Sequence, residues 1–581
     1  PDIPNGFNLF SWCRLGQSIP EERLNVLEGF LTRLGEAGGT FVRLRMDSWW
    51  MAIEGTPDST VGYFGPGWYQ QQTCWEIDRL YERAEELGIG VMHCLYNANG
   101  LVNPALFSGE RNRWRKSYVF CLKENGGPCE TVNGFWTNEE MDRLVERKLR
   151  YCIARWGYSP AVMAWEFWNE LRLREEVRDE QIAWHRRMSE RLQSMDPYGH
   201  IITNSLMDKN FAEQQEYWEL PDLDVVQVHS YVGAQLPRII ADITQEATAR
   251  WEKPFYLGEY GIIHEDRSQG RYPYDPDGVH LHNGLWASLL SGGSGAGAFW
   301  FVEGYLDRRD LYGHYTALQR WADGIPWTAA GILPLDLRRQ RPLDGDVRVM
   351  LQDADIRTGT LNPFQRAGAV RFTVDPTTGE VENGQYLQPM LHAREGDRKT
   401  TPVFVLDCAE PAVFEIHVTR SVGDETNRLI AYLDGEKVVE NPFPAGEQYD
   451  PASSYVEAYD NWITPYDEQV RIPVPAGRHR VRLEADGKDR IEVEYRLENY
   501  FSIGPLVVLG EQVRDRAWFW VRNRDSLAYR LRYDMDINEV DGMEMTIGGL
   551  EDGRYAVRWW DTWEGRPLQT AEAVCAGGEL S

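Results

Sequence analysis

The chain has 581 residues, 42% apolar and 26% charged, with a formal net charge of −29. That length is too great for one core, so about two to four globular domains are expected. The charge disfavours nucleic acid, anionic membranes and polyanionic substrates, all of which call for basic surfaces. No run of about 18 apolar residues is present, so no membrane-spanning helix is expected. Pro1 is not a natural start, and the lack of a leader therefore says nothing about compartment. The oligomeric state is not legible.

From residue 7 to about residue 327, strand-like runs alternate with amphipathic helices. The runs fall at 7–12, 40–46, 90–96, 162–170, 200–206, 225–232, 254–261 and 295–301. Helical patterns fall at 21–37, 74–87, 138–156, 179–195 and 236–251. Leu24, Leu27, Phe30, Leu31 and Leu34 show the spacing of one buried helical face. Eight β/α units over about 320 residues predict a (β/α)8 TIM barrel with long loops. Two loops stand out, 47–73 (Trp49, Trp50, Trp68, Tyr69) and 97–137 (Trp114, Tyr118, Phe135). Their aromatic content argues against disorder and suits the walls of a cleft.

After about residue 330 the helical period disappears. Short alternating strands at 403–406, 412–418, 429–433, 479–483 and 490–495 predict a β-sandwich of jelly-roll type. Further strands at 517–521, 527–532, 544–547 and 555–560 predict a second, smaller sandwich. The expected domains are therefore 1–330 (barrel), 331–503 (β-sandwich, carbohydrate-binding-module-like) and 504–581 (small C-terminal β-sandwich). Residues 347–351 suit an early strand of either sandwich. Trp518 and Trp520 share one strand face and are expected to pack a sheet.

Six of the eight cysteines lie in the first 152 residues, and none forms a CxxC pair, so zinc is not expected. Cys94 and Cys152 read as buried thiols. Cys121 and Cys129 flank a short Gly-Pro loop and are candidates for a disulfide, which sequence cannot decide.

The most informative feature is a pair of carboxylates. Glu170 ends the run Ala161–Trp165 plus Glu166–Asn169, and Glu259 follows Phe255-Tyr256-Leu257-Gly258. A barrel's active site lies at the C-terminal ends of its strands. Two carboxyl groups placed there can serve as acid/base and nucleophile in breaking a glycosidic bond. The 89 residues between them amount to about thirty per unit over three β/α units. Glu166, four positions before Glu170, is a competing candidate, but a mid-strand carboxylate suits a pair inside the barrel.

On these residues the barrel resembles clan A of the glycoside hydrolases, most closely family 5 and its cellulase-like relatives. The resemblance spans about residues 5–330 and is carried by Asn169-Glu170 on strand 4, Glu259 on strand 7, an Arg on strand 2, His229-Ser230-Tyr231 on strand 6 and Trp300 on strand 8. It implies Glu170 as acid/base and Glu259 as nucleophile, with retention of configuration. It implies Asn169 as ligand of a sugar 2-hydroxyl, and Arg43 as partner of the nucleophile, with Arg45 of the same parity as the alternative. It further implies Tyr231 and His229 around Glu259, and Trp300 as a sugar platform. Asn97, at the end of strand 3, is a further candidate sugar ligand. No His follows strand 3 where many relatives place one, and His93 comes too early, so the sugar is left open.

The expected activity is hydrolysis of β-glycosidic bonds in a neutral poly- or oligosaccharide, with no cofactor and no metal. The alternatives are a non-catalytic carbohydrate-binding barrel and a clan A furanosidase. A metal-dependent barrel enzyme would need His/Asp clusters on several strand ends, and His93 with His229 do not make one.

Overall fold

The computed structural model describes residues 3–9, 20–46, 51–54, 65–101, 119–207, 211–231, 236–261, 275–342, 352–356, 370–376, 381–393, 400–450, 452–456, 461–501, 505–532, 537 and 539–581. Seven strands, β1 (Gly6–Leu9), β2 (Phe41–Arg45), β3 (Gly90–Asn97), β4 (Val162–Asn169), β5 (Ile201–Leu206), β6 (Val225–Tyr231) and β7 (Phe255–Gly261), pair in parallel in chain order. The five predicted helices are present as Pro20–Glu36, Gln71–Leu87, Glu139–Trp156, Arg178–Met195 and Leu236–Arg250. Leu24, Leu27, Phe30, Leu31 and Leu34 are all buried, as their spacing requires. Two later helices, Val279–Leu289 and Gly313–Ala322, complete the outer ring. The fold is a (β/α)8-like barrel followed by all-β sheets. Among the described residues no helix is long and apolar enough to cross a membrane.

The eighth strand, expected at 295–301, is not a regular ladder. Phe299 alone bridges both Phe7 of β1 and Tyr260 of β7. Backbone bonds from Asn8 N to Phe299 O (3.0 Å), Ala298 N to Leu257 O (3.0 Å) and Trp300 N to Tyr260 O (3.1 Å) close the seam. The departure has two local causes. Ser288 Oγ takes the Gly297 amide at 2.7 Å, drawing it away from a strand partner. Gly295 lies so close to Pro4 that a Cβ would come within 2.7 Å of it. Asn8 Nδ2 reinforces the seam, donating to the carbonyls of Gly258 (3.0 Å) and Ala298 (3.1 Å).

The barrel interior changes character along its axis. Phe41, Met92, Ala164, Val225, Tyr256 and Ala298 form an apolar layer at the N-terminal end. Two residues further along β2, β4 and β6 stand Arg43, Glu166 and Gln227, all fully buried. The next positions carry the candidate site.

Two sheets form the first sandwich. One contains Gln352–Ile356, Arg490–Phe501, Ala412–Val422, Asn461–Val474 and Ser454–Val456, with Met390–His392 beside Arg490–Phe501. The other contains Arg371–Thr373, Val403–Cys408, Gly477–Asp486, Thr426–Leu433 and Glu436–Pro444. Phe404, Phe414, Ile416, Leu429, Val481 and Tyr495 fill the space between them.

Strands that follow residue 331 pair with the end of the chain. Leu333–Pro334 pairs with Leu506–Val513, and Leu337–Pro342 pairs with Met543–Gly548. The first sandwich is thus threaded between two parts of the last β-unit. The strand expected at 527–532 is instead a short helix, Ala528–Arg532. Its Ala, Leu and Arg residues favour that state, and Arg530 pairs with Asp525 at 2.9 Å. Residues 347–351 lie outside the described residues. Trp518 and Trp520 pack inward, against Trp327 and Trp286 of the barrel. Cys94, Cys121, Cys129 and Cys152 are buried free thiols, and Cys129 N donates to Cys121 O at 2.8 Å.

Burial holds His93, His185 and His280 neutral, pushing each down to about 3. Above pH ~6.5 both folded and unfolded chains carry them uncharged, so no stability is lost. Below that value only the unfolded chain takes up the protons. Stability should fall by about 1.4 kcal/mol per pH unit for each, or about 2 kcal/mol each at pH 5. Denaturant unfolding at pH 7 and pH 5 measures this. A His185→Phe variant should show a shallower loss, and an unchanged slope would count against its burial in the neutral form.

Candidate active site

Both carboxylates reach the barrel mouth through local irregularities. On β7 strict alternation would send Glu259 outward. The β6–β7 register shifts after Val228, so that His229 lies opposite Glu259 rather than Gly258. Glu259 consequently faces the axis, and Tyr260 turns outward to donate its hydroxyl to Leu281 O at 2.9 Å. On β4 the irregularity sits at the carboxylate itself. Glu170 has φ +55°, the left-handed region that a non-glycine residue seldom occupies.

Side chains of β5 support that turn. Trp168 N donates to Asn204 Oδ1 (2.7 Å), and Glu170 N donates to Ser205 Oγ (2.9 Å). The Ser205 hydroxyl in turn donates to Trp168 O at 3.2 Å. The ladder resumes with a bridge between Leu171 and Leu206. A wall of Tyr96, Phe135, Trp136 and Trp184 packs against Trp168 from behind.

Arg43 lies beneath the two carboxylates and is fully buried. Nε and Nη2 grip Glu166 at 2.6 and 2.7 Å, and Nη2 also reaches Asn169 Oδ1 at 2.8 Å. Nη1 donates to Asn8 Oδ1 (2.9 Å) and Glu259 Oε1 (2.7 Å). Arg45 Nη1 adds bonds to Asn169 Oδ1 (3.0 Å) and Glu259 Oε1 (2.9 Å). Arg43 and Arg45 thus both reach Glu259 Oε1. Glu166 pairs inside the barrel, as its mid-strand position suggested.

The other oxygen of Glu259 faces β6. Tyr231 donates its hydroxyl to Oε2 at 2.5 Å. His229 Nδ1 lies 3.0 Å from Glu170 Oε1 and 3.4 Å from Glu259 Oε2. Two acceptors facing one ring nitrogen fix its proton at Nδ1. Burial alone would raise the Glu259 carboxyl, but His229, Arg45, Arg43 and the Tyr231 hydroxyl together hold it down at about 2. Burial, then the charge of Glu259, pushes the Tyr231 phenol well up, so it stays a donor.

The remaining expected residues also gather here. Asn169 is buried, and its carbonyl oxygen is taken by the two arginines, so its NH2 group is presented as a donor. Asn97 is buried at the end of β3, directly opposite Asn169 in the ladder. Trp300 is partly buried, with the Arg45 guanidinium 4.4 Å from its ring centroid. His93 points away from the mouth and meets the Tyr81 hydroxyl at 2.7 Å. In the two long loops, Trp49, Trp50, Trp114 and Tyr118 lie outside the described residues. Trp68 is exposed, and Phe135 is buried behind Trp168.

One donor atom each from Glu170, His229 and Glu259 lie within 4.8 Å of one another. Such a group could in principle hold a cation. Two guanidinium groups on Glu259 Oε1 oppose a dication there, and the same charges suit an ionised carboxylate that remains free to react.

Sequence reading missed Asn8, Asn204 and Ser205. A signal existed for Asn8, a polar residue between Phe7 and Leu9 in a buried strand. Its register partner is Arg43. Asn204-Ser205 in the middle of β5 gave the same signal.

Neither a family model nor a curated protein matches the chain. Similar solved structures include a hyperthermostable endo-1,4-β-D-mannanase from Thermotoga petrophila (18% identity, 54% of this chain and 99% of that one, TM-score 0.36). Another is the X-ray structure of an endo-β-1,4-mannanase from Thermotoga petrophila (14%, 82% and 98%, TM-score 0.38). A third is a β-1,4-mannanase from the sea hare Aplysia kurodai (16%, 54% and 92%, TM-score 0.36).

Replacing Ser205 with Ala should leave the buried Glu170 amide and Trp168 carbonyl without their partner. The expected cost is about 1–3 kcal/mol of stability, read by denaturant unfolding. A loss under about 0.5 kcal/mol would mean that Ser205 does not hold the turn.

Proposed function

We propose that this chain is a retaining glycoside hydrolase of the clan A type. It cleaves β-glycosidic bonds of a neutral poly- or oligosaccharide by double displacement. The observation that carries the reading is the pair itself. Glu259 is held ionised at about 2, and one oxygen of Glu170 lies within 4.8 Å of one of Glu259 across the barrel mouth. Oxygens that close suit a nucleophile and an acid/base with no water between them.

In the first step Glu259 attacks the anomeric carbon, and Glu170 gives its proton to the departing glycosidic oxygen. The C1–O bond to the leaving sugar breaks as the bond to Glu259 forms. In the second step Glu170 takes a proton from water, which attacks the same carbon and releases Glu259. The substrate sits where the donors point. The Asn169 NH2 group meets the 2-hydroxyl, and the Trp300 ring stacks on the sugar. Tyr231 and the arginines keep Glu259 charged until attack. The formal net charge of −29 favours a neutral glycan over an acidic one. The reaction needs no metal or cofactor, and EDTA should leave turnover unchanged.

A panel of aryl β-glycosides and polysaccharides tests this. Glu259→Ala should bring turnover below detection, and added azide should restore part of it with inverted product. Glu170→Ala should lose about 10²–10⁴-fold on poor leaving groups and far less on dinitrophenyl glycosides. Azide should then rescue the second step with retained configuration. If azide gives inverted product with the Glu170 variant instead, the two roles are exchanged. Activity surviving in both variants would falsify the assignment.

A further inference from the structure

Glu166 takes no part in the two steps above, yet it is fully buried and charged. Burying a carboxylate is costly unless it is paired. Its pair is Arg43, gripped side-on through Nε (2.6 Å) and Nη2 (2.7 Å), with no exposure of either side chain. A guanidinium has five N–H donors. In Arg43 all five are used: two on Glu166, and one each on Asn169, Asn8 and Glu259. The fork on Glu166 fixes the plane of the group, and that plane sets where Nη1 meets Glu259 Oε1.

The charges matter as much as the angle. Glu259 faces two guanidinium groups, Arg43 at 2.7 Å and Arg45 at 2.9 Å. Two full positive charges on one carboxylate oxygen would stabilise the anion and blunt its attack. Glu166 offsets one of them.

We infer that Glu166 is a positioning residue for Glu259: it orients Arg43 and offsets its charge, so that the carboxylate stays ionised and still nucleophilic. This rests on the reading of Glu259 as nucleophile. A Gln at position 166 keeps the shape but removes the charge and turns one acceptor into a donor facing Arg43. Attack, which forms the C1–Glu259 bond and expels the leaving group, then becomes slower. Release, in which Glu259 departs as water attacks, becomes faster, because a better-stabilised carboxylate is a better leaving group. A purely structural role would slow both steps together.

The test uses the dinitrophenyl β-glycoside that the wild-type protein turns over fastest and its 2-deoxy-2-fluoro analogue, which traps the glycosyl-enzyme. In the wild type, mass spectrometry should find the label on Glu259. In Glu166→Gln the labelling rate should fall about tenfold or more, and reactivation of the trapped species should speed up. Glu166→Asp keeps the charge with a shorter reach. It should label faster than Glu166→Gln and reactivate at the wild-type rate. If the Gln variant does not fold, labelling of Glu166→Asp slower than the wild type with wild-type reactivation supports the inference, and wild-type labelling or equal slowing of both steps overturns it. Wild-type labelling in Glu166→Gln, or equal slowing of both steps, overturns the inference.

A label absent from Glu259 in the wild type overturns the nucleophile reading instead. The link through Arg43 is then judged by melting temperature alone. Glu259→Gln should lower it more in the Glu166→Gln background than in the wild type, since Arg43 would lose its last carboxylate. Equal falls overturn the inference.

Discussion

The Arg43 guanidinium is the interaction on which the rest of the site depends. It joins β1 through Asn8, β4 through Glu166 and Asn169, and β7 through Glu259. A buried cation of this kind is stable only if every donor is met and the charge is balanced. Each of its partners is thereby held in place by the others. Asn8 also fastens the seam where the barrel closes, through the carbonyls of Gly258 and Ala298. The same few bonds therefore close the barrel and aim the candidate nucleophile.

A barrel of regular strands would not bring these two carboxylates face to face. Strict alternation would turn Glu259 out and Tyr260 in. It is the register shift on β7 and the left-handed turn at Glu170 that reverse this. Both departures cost backbone energy, and both are compensated nearby. The shift on β7 is repaid by the outward burial of Tyr260 against the helix Val279–Leu289. The turn on β4 is repaid by Asn204 and Ser205, whose side chains replace the missing ladder bonds. Strain at the carboxylates and polar residues in the middle of neighbouring strands are two sides of one arrangement.

Much of this was legible in the sequence because it follows from period and position. The seven strands and five helices follow from apolar spacing, and Glu170 and Glu259 follow from standing at the ends of apolar runs. What was not legible depends on contacts between distant segments. Gly295 and Gly297 read as part of an eighth strand, but Pro4 and Ser288 decide their path. Residues 527–532 read as a strand by alternation, but local helix propensity and the pair Arg530–Asp525 decide otherwise. The 333–342 segment reads as the start of the first sandwich because it precedes it. Only strand pairing reveals that its partners lie about 180 and 205 residues later. Arg43 and Arg45 could not be separated by parity, since both point inward and both reach Glu259.

The seam between the barrel and the last β-unit is built on a different principle, the fixing of protons. His314 Nε2 faces the Asp277 carbonyl at 2.9 Å, so it must carry the hydrogen. His314 Nδ1 is then an acceptor, and His282 Nδ1, 3.3 Å away, must be the donor. His282 Nε2 is left to accept the Thr562 hydroxyl at 3.1 Å. Trp563 stacks flat on the His282 ring at 4.2 Å, and Trp520 flanks it. Burial, reinforced by His314 and Arg522, lowers His282 well below its ordinary range, and burial lowers His314 against the opposing pull of Asp277. Both rings are therefore neutral, and each nitrogen has a single permitted role. A proton added to His314 would set its Nδ1–H against that of His282, and one added to His282 would turn the Thr562 hydroxyl from donor to acceptor. The line runs from the β-unit at Thr562 into two barrel helices, at His282 and His314, and ends just before the first of them at Asp277. It thus fixes how the turn between the paired strands Gly553–Asp561 and Arg566–Ala576 seats on the barrel, with a directionality that apolar packing by Trp518 and Trp520 alone does not supply.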